Sequence, residues 1–174
     1  YYACLEPVFK GQSLVSPKQT DVNSIMIGRG AYMNRYTRFK PGIVSDHWSP
    51  QYPLKVADNM YFVKSWVDTV FNGIAASPLR KKQYVYSDLG LMLIKQAIDT
   101  ITRQPFQQYL DDTYYKKLGA GTLCFNPLER FPRQVIAPTE DDHLYRKQQI
   151  QGYVHDPRAA MLGGIAGHAG LFAN

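Results

Sequence analysis

The sequence predicts a mainly α chain with extended and irregular segments, on three observations. Between Leu54 and Ile74 the residues Val56, Met60, Val63, Val67, Val70, Phe71 and Ile74 recur at intervals of three and four. That spacing gathers side chains on one face of a helix. Leu91, Ile94, Ile98 and Ile101 repeat the pattern after Ser87, and Phe106, Tyr109, Leu110, Thr113 and Tyr114 form a third stripe after Pro105.

Taken in order, residues 1–53 carry Gly, Pro, Ser and many tyrosines without a sustained period. They read as irregular, with one short strand at Ser24 to Ile27. A loop that long in a compact domain is functional or depends on neighbouring segments. The first helix should end near Ser77-Pro78, because proline disfavours helical geometry in the residue before it. Trp66 falls off its apolar face. The basic run Arg80-Lys81-Lys82 reads as a solvated linker.

At Tyr84-Val85-Tyr86-Ser87-Asp88 an aromatic, extended approach turns into the second helix, for which Ser87 is a natural N-cap. This helix should reach Thr102. The third begins with Pro105 at its first position, carries Lys116 and Lys117 where they complement the helix dipole, and closes at Gly119. Past Gly119 the chain reads as loop-rich, punctuated by Asn126-Pro127, Phe131-Pro132 and Ala137-Pro138. Asp156-Pro157 then opens a short helix through Met161, and Gly163, Gly164, Gly167 and Gly170 allow close approach of backbone to backbone or to a ligand.

A composition of 45% hydrophobic and 20% charged residues is that of a folded globular chain. The net charge of +6 is scattered, and no nucleic-acid motif accompanies it. No apolar run approaches the length needed to cross a bilayer. Cys4 and Cys124 match no metal or redox spacing and are compatible with two thiols or with a disulfide. Both ends read as cut: no initiator Met opens the chain, and Leu171-Phe172-Ala173-Asn174 reads as core material. The expectation is therefore a single fragment, 1–174, irregular over 1–53 and helical over 54–174.

Tyr86-Ser87-Asp88 followed by Leu89-Gly90 resembles the Tyr-Ser-Asn motif of the serine β-lactamase, penicillin-binding-protein and esterase superfamily, in its class C-like branch. Asn126-Pro127-Leu128, Ala137-Pro138-Thr139-Glu140, Gln151-Gly152-Tyr153-Val154-His155-Asp156 and Gly163 to Phe172 are similar to the same family in the same order. The resemblance covers Tyr52 to the end. It implies the helical part of a β-lactamase-like α+β fold lacking most of the sheet. It also implies a catalytic Tyr86, with Asp88 and Ser87 as substrate-binding residues. Where the family commonly has glycine at the close of the helix, this chain has Arg103.

The family joins a nucleophilic serine, with a lysine one turn later, to the Tyr-x-Asn element and a Lys/His-x-Gly strand. No serine here has lysine three places on; Arg80 after Ser77 is the nearest approach, and arginine cannot serve as a base. No Gly-x-Ser-x-Gly elbow occurs. The resemblance thus implies a nucleophile upstream of Tyr1 and a chain inactive alone. Asp88, which only accepts hydrogen bonds when ionised, leans the substrate from a β-lactam towards an ester, peptide or other acyl compound. His168-Ala169-Gly170 fits His-x-Gly superficially, but in the family such a segment precedes the third motif, so structural glycine packing is the favoured reading.

Asp141, Asp142, His143, His155, Asp156 and His168 show no metal-ligand spacing, and no cofactor or metal is expected. His155 reads as a satisfied structural histidine and Glu140-Asp141-Asp142 as a solvated acidic turn. The downstream pattern also resembles modules fused to bacterial glycoside hydrolase family three proteins, which implies a periplasmic or cell-envelope parent. The expected partners are the remainder of that polypeptide and a small-molecule, glycan or peptide substrate. A non-catalytic binding or scaffold module is the rival reading.

Overall fold

The computed structural model describes residues 2–19, 24–28, 31–78 and 83–174. The basic run Arg80-Lys81-Lys82 lies outside them. The fold is not mainly α: among the described residues helices take up 31% and strands 21%, the latter in several small sheets. The excess of strand lies where apolar periodicity was weakest or was mistaken for helix.

The first 53 residues are not an irregular arm. Strands β1 (Leu5–Pro7), β2 (Val15–Ser16), β3 (Ile25–Gly28), β4 (Ala31–Met33), β5 (Thr37–Phe39) and β6 (Val44–Ser45) are each two to four residues long, too short to show an alternating period. β1 pairs with β5, and β2 and β3 flank β4, all antiparallel. The strand expected at Ser24 to Ile27 is β3. Leu5 and Met33 of these strands, with Cys4 just before β1, enter the core.

The larger correction concerns residues 54–62. They form a hairpin, β7 (Leu54–Ala57) and β8 (Met60–Phe62), with β6 on the other side of β8. Its turn, Asp58-Asn59, has Asn59 at φ 49°, a left-handed conformation that asparagine adopts more readily than most residues. That turn breaks what reads as one amphipathic helix into a hairpin and a shorter helix, α1 (Ser65–Ala75). Trp66, off the expected face, is the buried residue of α1. It packs edge-on to Phe62, and its indole N–H points at Met161 Sδ, 3.1 Å away.

Helix α2 runs Asp88–Thr102, capped by the Ser87 hydroxyl, which accepts from the Leu89 N–H at 3.3 Å. It closes at Arg103, whose backbone is left-handed at φ 55°, ψ 27°. α3 (Phe106–Leu110) follows Pro105 and continues into one π turn, Asp111–Tyr115, with Gly119 at φ 67° beyond it.

The loop-rich region hides a second hairpin, β9 (Pro138–Asp142) and β10 (Gln148–Gln151), paired antiparallel. Ile150, the one aliphatic side chain of β10, is fully buried beside Ala57 and Tyr153. Glu140-Asp141-Asp142 is not a solvated turn. Asp142 is buried and accepts from the Leu144, Tyr145 and Arg146 N–H groups and from Arg146 Nε. The buried Arg146 guanidinium also donates to Glu140 Oε1 at 2.5 Å and to the Val154 and His155 carbonyls at 2.7 and 2.8 Å. His155 itself is exposed.

α4 (Pro157–Met161) begins at Asp156, whose carboxylate caps the Arg158 and Ala159 N–H groups, both at 2.8 Å. Its Ala159, Ala160 and Met161 complete one core with Val56, Phe62, Val63, Trp66, Tyr145 and Val154. No disulfide joins Cys4 to Cys124, and burial pushes the Cys4 thiol up to about 11.

Candidate functional site

Tyr86 and Asp88 come together because Ser87, at φ −153° and ψ 127°, is extended. Residues on either side of an extended position point the same way. The phenol therefore folds over the start of α2 and donates to Asp88 Oδ1 at 2.9 Å. The Ser87 oxygen is engaged as the cap, leaving its O–H free to donate. Tyr86 is 75% exposed and stands on open surface rather than packed inward.

The other carboxylate oxygen is occupied from a distant part of the chain. Arg158 Nη2, near the start of α4, lies 2.7 Å from Asp88 Oδ2 and 3.2 Å from Asp156 Oδ2. Asp156 Oδ1 in turn meets His168 Nε2 at 3.1 Å. The result is a line of polar groups, Tyr86, Asp88, Arg158, Asp156 and His168, along the seam between α2 and α4. None of the last three was read from sequence as part of the site. Asp156-Pro157 signals a helix start, but no local pattern places Arg158 beside Asp88.

The seam is closed by the glycine-rich loop. A Cβ at Gly167 would run into the Leu91 carbonyl oxygen, so the loop lies directly on the backbone of α2. A Cβ at Gly164 would strike the Asn126 side chain, and Asn126 Nδ2 donates to the Gly163 carbonyl at 3.1 Å. These glycines admit backbone and side chain, as packing requires, and His168 sits among them with its side chain only 4% exposed.

The electrostatics favour a protonated phenol. The hydrogen bond to Asp88 and then the carboxylate's charge raise the Tyr86 phenol above its ordinary value of 10.0, with Arg158 opposing. Burial would raise the Asp156 carboxyl, but the Ala159 N–H, His168 and Arg158 outweigh it and hold it below the usual 3.8. At neutral pH Tyr86 is thus a proton donor resting on an anion, and Arg158 offsets that anion's charge.

The larger cavities lie elsewhere. One of ≈ 370 Å³ opens between the loop around Cys124, Pro127 and Phe131 and the start of β9, and Tyr86, Ser87 and Asp88 do not line it. Among the described residues, no group of three or more His, Cys, Asp or Glu could hold a metal ion. No described helix is long and apolar enough to cross a membrane.

The chain is similar to proteins named "Putative D-alanyl-D-alanine carboxypeptidase" from Salmonella gallinarum and from Escherichia coli K12. Each is 34% identical over 140 residues, covering 72% of this chain and 32% of the relative. The chain thus spans about a third of the length of these relatives. No family model and no solved structure matches it. The likeness agrees with the penicillin-binding-protein-like, serine-hydrolase resemblance carried by the motifs.

Proposed function

We propose that this chain is the part of a penicillin-binding-protein-like serine hydrolase that carries its second catalytic element. Acyl transfer or ester and amide hydrolysis would take place at the ledge formed by Tyr86, Ser87 and Asp88. The observation that carries the reading is the exposed phenol held by Asp88 on a capped helix start. Proton transfer needs such a group within hydrogen-bond reach of the reacting atoms and free to meet them.

In this reading Tyr86 hands a proton to the leaving group, or holds one beside the nucleophile. Asp88 orients the phenol, and the Ser87 O–H is left to meet substrate. The attacking serine and its lysine come from polypeptide beyond these residues, since no Ser-x-x-Lys occurs here. The chain spans 32% of the relatives' length, which leaves room for such a segment. α2 offers it an apolar surface: Leu93, Ile94 and Ile101 are exposed. The relatives' name makes a peptide ending in D-alanyl-D-alanine the first substrate to try, in an enzyme of the cell envelope. Fusion to a glycoside hydrolase is a separate part of the reading, decided by the sequence of the parent gene.

The test is to assay the parent protein with a chromogenic ester and with a peptide ending in D-alanyl-D-alanine. Turnover that falls at least tenfold in Tyr86→Phe, with unfolding unchanged, is the expected result. A parent that turns over no acyl substrate would leave the seam as the core of a binding or scaffold module.

A further inference from the structure

Asp88 divides its two oxygens between two partners. Oδ1 receives the Tyr86 hydroxyl at 2.9 Å, and Oδ2 faces Arg158 Nη2 at 2.7 Å. The Arg158 side chain is 45% exposed, yet the two carboxylates it joins, Asp88 and Asp156, are only 14% and 20% exposed. An isolated surface ion pair contributes little. Here, however, one planar guanidinium holds apart two half-buried anions that would otherwise face each other. Its anchor is itself fixed: the Asp156 carboxylate caps α4 and meets the buried His168 on the loop that Gly167 presses against α2.

We infer that Arg158 is the positioning residue of the Tyr86 phenol, acting through Asp88 Oδ2 to fix the orientation and offset the charge of the carboxylate on which the phenol rests. The inference rests on the role given to Tyr86 above and goes beyond it, because Arg158 does not touch the phenol and lies outside the segments that carry the family resemblance, reaching the phenol only through Asp88. The charged or titratable groups around the phenol are Asp88, Arg158 and Tyr84, with Asp156 and His168 behind Arg158. Removing the guanidinium leaves Asp88 uncompensated, so the phenol holds its proton more tightly. A single nitrogen, Nη2, meets both carboxylates; lysine keeps the charge, but on a more strongly hydrated head and a more flexible stem.

The coupling is read without turnover. Difluorotyrosine, whose phenol titrates near neutrality, is placed at position 86 and its ionisation followed by fluorine NMR. Arg158→Met should raise the midpoint by about 0.5 pH, roughly a threefold tighter hold on the proton, and Arg158→Lys by less. In an Asp88→Asn background the same change should move the midpoint by less than about a third as much. A midpoint unmoved by Arg158→Met, or one moved equally with Asp88 absent, overturns the inference; a purely structural arginine would lower the unfolding temperature and do no more. Should the Met variant fail to fold, Arg158→Gln is read against the same criteria. A parent without hydrolase activity would still show the coupling, and loss of the coupling would leave the hydrolase assignment standing.

Discussion

Two stretches of this chain carry the same three-and-four apolar period and are treated oppositely. In residues 54–74, Val56 and Val63 of that period enter the core, and Met60 and Val70 pack against it. In α2, Ile94 and Ile101 of the expected core line stand 56% and 79% exposed, and Met92 is the buried residue of the helix. The side of α2 turned towards the rest of the chain is the polar one, with Asp88 against Arg158 and a half-buried Lys95–Asp99 pair at 2.6 Å. Apolar spacing marks which face of a helix is oily. Whether anything covers that face depends on segments far away in sequence.

The contrast breaks most directly by truncation. Phe62 is fully buried and meets the rings of Phe39, Trp66 and Tyr145. Phe62→Ala should destabilise by about 3–5 kcal/mol. Ile94→Ala in α2 should change stability by less than about 0.5 kcal/mol, as exposed positions do. Urea unfolding of both variants decides it, and comparable losses would mean that α2 is covered after all.

Next in size is the buried pair behind β9. Arg146→Met leaves Asp142 and Glu140 without their guanidinium, which should cost about 3–5 kcal/mol. The same site sets a pH dependence. Burial would raise the Asp142 carboxyl, but the Tyr145 and Arg146 N–H groups and the guanidinium hold it below its ordinary 3.8. A group depressed on folding contributes stability above its unfolded value and loses it as pH falls through the folded one. Urea midpoints should therefore decline below about pH 4, and by less in Asp142→Asn.

These residues also mark what was legible in the sequence. The Ser87 and Asp156 caps and the extent of α2 are local events, set by residues within a turn of one another, and each could be read. The hairpins at 54–62 and 138–151 could not. One turned on the conformation of Asn59, and the other put Asp141, Asp142 and three glutamines into strands. The same limit divided the site. Tyr86 and Asp88 are neighbours in sequence, whereas Arg158 reaches Asp88 only once the glycine loop has docked.

That docking gives a smaller contrast. A Cβ at Gly167 meets the Leu91 carbonyl, and a Cβ at Gly90 meets nothing within 4 Å. Gly167→Ala should cost about 1–3 kcal/mol, since backbone must move. Gly90→Ala should stabilise by about 0.5–1 kcal/mol, the usual gain in a helix interior. Thermal unfolding of the pair separates the packed edge of α2 from its open one.

The smallest expected effect lies at the end of the same helix, where so little packing intervenes that local terms show through. Arg103 holds a left-handed backbone at φ 55°, a conformation that disfavours a residue with a Cβ by about 1–2 kcal/mol. Glycine relieves that but returns part of the gain as entropy of the unfolded chain. It also removes a positive charge from the negative end of the helix dipole, worth about 0.3–1 kcal/mol at low salt. The conformational term is the larger, so Arg103→Gly should stabilise by about 0.5 kcal/mol. The gain should grow as salt screens the lost charge. A variant less stable at every ionic strength would show that the helix does not close through a left-handed residue here.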